Sequence, residues 1–149
     1  MTETHAPVVP ALVLRRTYKA PRERVFSAWT TPETAVRFLG PGDVTIPEIH
    51  MDARTGGSYR ITMLKADGER LLVSGVYREV IAPARLSMTW RWEEDNPAEE
   101  YDSLLTLEFN DLGGETELIL THAQIATAQS RDNHEHGWTA ILDKLPDVL

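Results

Sequence analysis

Five histidines are the first residues in this 149-residue chain whose chemistry invites a functional reading. His134-Glu135-His136 sets two imidazoles two positions apart, whereas two metal ligands on one helical face need the i, i+4 spacing. His122 and His134 can meet in space, but no third ligand is evident beside them, so no metal site is expected. The chain has no cysteine, which removes thiolate nucleophiles, disulfides and cysteine-based metal sites. No G-x-S-x-G elbow is present, and Ser58 after Gly56-Gly57 belongs to a turn. Gly40-Pro41-Gly42 lacks both the preceding buried strand and the lysine of a phosphate loop. Neither a catalytic set nor a cofactor is expected. A reaction that needs only a shaped pocket and one or two polar groups, which His50, Tyr77 and His122 could supply, stays open.

His122 is in phase with Leu118 and Leu120. It reads either as a hydrogen-bonded residue steering the chain into the last helix or as a polar group orienting a ligand in a cavity. The same two readings apply to His134. Asp52, Arg54 and Glu79 read as members of ion pairs that fix the sheet, because charges are rarely buried alone. Trp90, Trp92, Phe109 and Tyr59 read as the wall of a concave face beside Trp138, with Met63 and Met88 as adaptable filler.

The elements that must position these groups follow from hydrophobic period and turn signals. Residues 1–10 carry two prolines and read as a loose lead-in, and ALVLRRTYK (11–19) as a strand. Pro21 and Pro32 each open a short helix, burying Val25, Phe26 and Trp29 in the first and Val36 with Phe38 or Leu39 in the second. From residue 44 the period becomes strand-like, over 44–52, 58–65, 70–80, 85–92, 103–110 and 115–122. Pro47 places the first of these near an edge or a bulge, and Gly75 marks a bulge. EEDNPAEEYD (93–102) reads as an acidic, solvated loop.

The last helix spans 128–145, with Thr127 as its N-cap and Pro146 as its stop. Trp138, Ile141, Leu142 and Leu145 form an apolar stripe that Arg131, His134 and Glu135 continue in polar form. The second half therefore clamps the sheet, and the first half is the place for a lid or ligand contact. Gly137, at the join, reads as permitting close packing against a strand or as a flexible point. Tight turns between successive strands imply an antiparallel meander, covered by the last helix. The first and last strands read as free edges through which a monomer can pair into a homodimer.

A net charge of −8 with no basic block argues against nucleic-acid partners. The chain has no apolar run long enough to span a bilayer and no secretory leader pattern, so no membrane insertion and a cytoplasmic location are expected. Its length is that of a single domain, 1–149.

The ordered residues resemble a known superfamily. Ala20-Pro21, Val25-Phe26, Trp29, Pro32-Glu33, Phe38, Asp52, Arg54, Gly56-Gly57 and Tyr59-Arg60 match it in the first half. Gly75, Tyr77, Glu79-Val80, Pro83, Arg85-Leu86, Thr89-Trp90, Gly114, Thr116, Leu118, Leu120, Thr121-His122, His134, Gly137-Trp138, Leu142 and Leu145 match it in the second. The chain resembles the START-like, Bet v 1-like (SRPBCC) superfamily, in the branch named for the C-terminal domain of the activator of Hsp90 ATPase. The resemblance implies an α+β helix-grip fold, β-α-α-β6-α, with a curved antiparallel sheet around a long C-terminal helix and an internal cavity. It implies an apolar or amphipathic small-molecule ligand, with Trp29, Phe38, His50, Tyr59, Met63, Tyr77, Met88, Trp90, Trp92, Phe109, His122, His134 and Trp138 as cavity-lining candidates. A chaperone-associated interaction module and a cyclase or dehydratase are the alternatives, since fold alone does not fix function.

Overall fold

The computed structural model describes residues 9–149; the lead-in expected at residues 1–10 lies almost wholly outside the described residues. Strand β1 (Leu12–Tyr18) is followed by helix α1 (Arg22–Thr30) and the short α2 (Pro32–Ala35). Then come β2 (Thr45–Met51), β3 (Ser58–Leu64), β4 (Arg70–Ile81), β5 (Arg85–Trp92), β6 (Ser103–Asp111) and β7 (Thr116–Ala123). Helix α3 (Ala128–Lys144) runs into a 3-10 turn over Leu145–Val148 that admits Pro146 at its start, so the chain keeps turning past the expected stop. The strands form one antiparallel sheet in the order β1-β7-β6-β5-β4-β3-β2. This is a helix-grip fold. Its edges are β1 and β2; β7 is paired on both sides, which corrects the expectation of a free last strand.

Local chemistry explains these elements. Asp67-Gly68 closes the β3–β4 hairpin, with Gly68 at φ +91°, a conformation that side-chain-bearing residues rarely adopt. Thr127 caps α3 as expected, its hydroxyl accepting from Ser130 N–H at 3.1 Å. Thr127→Ala should cost about 1 kcal/mol in a urea-denaturation experiment. An unchanged midpoint would show that the cap is dispensable.

Two irregularities shape the sheet. In β2 the register shifts between Thr45 and Glu48, around Pro47. The β4–β5 ladder is interrupted at Gly75-Val76 and Thr89-Trp90 and then shifts between Tyr77 and Glu79. At the interruption Tyr59 Oη donates to the Thr89 carbonyl, and Val76 N–H turns to Thr89 Oγ1 at 2.9 Å. Only glycine fits at position 75, because a Cβ there would lie 2.0 Å from the Thr89 carbonyl oxygen and 2.7 Å from the Tyr59 ring.

Helix α1 and the chain after α2 cover the concave face together with α3. Phe26 of α1 packs edge-to-face on Phe109 of β6 at 5.3 Å, and Trp29 packs on Phe38 at 5.1 Å and Trp138 at 6.1 Å. Phe38, Leu86, Leu105, Leu107, Leu118 and Leu120 have no exposed surface. One end of the grip is thus solid core, and the main cavity lies at the other. Of the charges expected in ion pairs, Asp52 meets the exposed Arg54 at 2.9 Å and Glu79 meets Arg85 at 3.1 Å in half-exposed positions.

Candidate functional site

The open end holds a cavity of about 340 Å³ between α3, strands β3–β5 and the segment 41–44. From the sheet come Met63, Leu71, Trp90 and Trp92; from α3 come Ser130, Asn133, His134, Gly137, Trp138 and Ile141; Pro41 and Val44 close the side. Lys144, at the last turn of α3, donates to the carbonyls of Gly40 at 2.5 Å and Gly42 at 2.6 Å. That contact ties the lip segment to the helix, and a cation suits the negative end of the helix dipole.

Two tryptophan–histidine pairs form the back wall. Trp92 Nε1–H donates to His134 Nε2 at 2.9 Å, and His134 Nδ1 meets the Ser130 carbonyl at 2.7 Å. A carbonyl only accepts, so the His134 proton sits on Nδ1. Trp138 Nε1–H donates to His122 Nδ1 at 3.0 Å, which places the His122 proton on Nε2. That proton goes to Ser103 Oγ at 2.7 Å, and the Ser103 hydroxyl donates to the Trp90 carbonyl at 2.9 Å. The rings are in opposite tautomers, edge-to-face, with centroids 4.7 Å apart. Burial, and then the neighbouring His134, push the His122 imidazolium down to about 3. Burial also lowers His134, against the opposing bond to the Ser130 backbone. Both rings are therefore neutral near neutrality and have both nitrogens engaged inside the protein. Neither has a free nitrogen with which to take a proton from a bound molecule.

Several buried polar atoms have no partner among the described residues, including Trp90 Nε1, Trp29 Nε1 and Tyr77 Oη. Trp90 also borders the cavity, with its indole N–H buried.

Among the residues expected to line the cavity, Met63, Trp90, Trp92, His134 and Trp138 do so. His122 lies just behind the wall, with no exposed surface, in the structural role. Trp29, Phe38, Phe109 and Met88 are buried core, because α1 and the chain after it fill that end. Tyr59 and Tyr77 pack on each other at 5.5 Å, deep beside Gly75. His50 is exposed beside Arg60 on the other face of β2: the shift around Pro47 turns Ile49 and Met51 inward and His50 outward. Glu135 belongs to the outer face of α3 with Asp132 and His136, and Arg131 donates to the Pro10 carbonyl at 3.1 Å. The sequence reading did not name Pro41, Val44, Leu71, Ser130, Asn133 or Ile141 as lining, although Ser130 and Asn133 fall in the half of the helix where it placed a ligand contact. The first two owe their place to Lys144, whose reach no local pattern reports. Gly137 does not serve close packing, since a Cβ there would meet nothing within 4 Å; it leaves space in the cavity.

Among the described residues there is no cluster that could hold a metal ion, and no helix is long and apolar enough to cross a membrane. A protein of Chromobacterium violaceum shares the fold with a TM-score of 0.84 at 26% identity, covering 95% of this chain and 98% of its own. The AHSA1 protein of Silicibacter pomeroyi has the same TM-score and identity, covering 93% of this chain and 96% of its own. A Mycobacterium smegmatis protein at 19% identity has the same fold, with a TM-score of 0.80, covering 96% of this chain and 97% of its own. No curated protein matches. Residues 19–149 match the family described as Activator of Hsp90 ATPase homolog 1-like protein, and the chain belongs to that family.

Proposed function

We propose that this protein binds an apolar or amphipathic small molecule in the cavity between the sheet and α3. The observation that carries this reading is the cavity itself: about 340 Å³ within a domain-sized fold, walled by indoles and aliphatic side chains. That volume lies in the range of small-molecule sites, and its lining has the usual mix of an apolar wall with a few polar groups. Because both histidines have their ring nitrogens engaged within the protein, the reading is binding without turnover.

Gly137→Leu provides the test. The new side chain has room to enter the cavity, and replacing a helical glycine should stabilise the fold by about 0.5–1 kcal/mol. The wild type should bind the neutral probe N-phenyl-1-naphthylamine with a change in tryptophan emission, and Gly137→Leu should bind it at least tenfold more weakly. Equal binding by both proteins, or none by either, would remove the cavity from consideration. Native mass spectrometry of gently purified protein should also show an adduct.

The family description names an Hsp90 activator, which favours a chaperone contact as the second reading. A pull-down that enriches no chaperone removes it.

A further inference from the structure

Beside the main cavity is a second, narrower pocket of about 70 Å³ that opens to solvent past Glu94 and Glu99. Trp90, Trp92 and Ser130 border both spaces, and Glu94, Glu99, Tyr101 and Ser103 complete the smaller one. The volume has room for several waters, and so for a small alkylammonium group. Its lining is chemically unlike that of the main cavity: three aromatic residues and two exposed glutamates, with two serines.

The segment 93–102 builds this wall by its own bonds. Asn96 accepts from Ala98 N–H at 3.1 Å and opens a 3-10 turn over Pro97–Glu99. The Glu100 carboxylate accepts from Glu94 N–H at 3.1 Å, and Tyr101 Oη accepts from Ala126 N–H at 3.2 Å. Glu100 and Asp102 are engaged by Arg91, whereas neither Glu94 nor Glu99 forms an ion pair with a described residue. Trp90 and Trp92 stand nearly perpendicular, at 84° with centroids 5.8 Å apart.

We propose that this pocket receives an organic ammonium group whose apolar body lies in the main cavity; the proposal rests on the ligand-binding reading above. Aromatic faces attract a cation through the ring quadrupole, and alkylated ammonium ions, weakly hydrated, give up little solvation on entering such a cage. The two carboxylates add charge attraction and repel a fatty-acid or phosphate head, as does the net charge of −8.

The experiment titrates octyltrimethylammonium, 1-octanol and octanoate by calorimetry at 0.15 M salt. It uses the wild type, Glu94→Gln/Glu99→Gln, and a charge-matched control, Glu23→Gln/Glu115→Gln, whose side chains are exposed and remote from the pocket. The ammonium should bind at least tenfold tighter than the alcohol, and octanoate weakest. Glu94→Gln/Glu99→Gln should remove that preference while leaving octanol affinity unchanged, and the control should keep it. Equal affinity for ammonium and alcohol, or a preference lost equally in the control, overturns the ammonium site and leaves the apolar cavity standing. Failure of all three ligands to bind overturns the ligand-binding reading, and this proposal with it.

Discussion

Trp138→Ala is expected to lower the unfolding free energy by about 3–5 kcal/mol, the range for large-to-small aromatic changes in a core. Trp138 is 2% exposed and meets Trp90 at 4.9 Å and both Trp29 and His122 at 6.1 Å. It therefore joins the solid end of the grip to the rim of the cavity. Truncation removes that packing and also strands the His122 Nδ1 acceptor. Trp138→Phe separates the two effects: it keeps most of the buried area and loses the hydrogen bond, at an expected cost of about 1–3 kcal/mol. Urea denaturation of both variants checks the pair. A loss below about 1 kcal/mol for the alanine variant would mean that α3 is not docked as the geometry requires.

The second large effect is loss of stability in acid, centred on His122. Its native imidazolium is held down at about 3, against an ordinary value of 6.5, by burial and by His134. Above pH 6.5 the ring is neutral in both states and the shift has no consequence. As the pH falls below that value the unfolded chain takes up a proton that the native state refuses, so stability declines until the native ring also titrates. The slope is about 1.4 kcal/mol per pH unit, so the fall between pH 7 and pH 4 is about 3 kcal/mol. His134, also lowered, acts in the same direction. Glutamine at position 122 can accept from Trp138 and donate to Ser103 without titrating. His122→Gln should therefore flatten the stability profile between pH 6.5 and 4 by close to one proton. An identical slope in wild type and variant would refute the account.

Much of this fold was readable because strand alternation and turn chemistry are local properties. Leu86, Met88, Trp90 and Trp92 share one phase of β5, and Asp67-Gly68 closes a hairpin where expected. The cavity was only half readable, because phase says which face a residue takes, not what lies opposite. Phe109 and Trp90 both face the concave side, but Phe26 covers one while open space meets the other. His50 shows a different difficulty. Unbroken alternation from Ile46 would carry it inward, and the shift around Pro47 reverses the phase before it is reached. The tautomers of His122 and His134 depend on partners scattered over β5, β6 and α3, which no short pattern connects.

The interrupted ladder between β4 and β5 has a mechanical consequence. Where Tyr59 and Val76 take up Thr89, the sheet has a crease, and the crease runs along the strand that carries Trp90 and Trp92. On one side of it lies a leaf of β2, β3 and β4; on the other lies a leaf of β5, β6, β7 and β1. A small change in the angle between the leaves would move the two indoles together, widening one compartment as it narrows the other. The two indoles thus share one backbone support, and a displacement of β5 would be felt in both compartments at once.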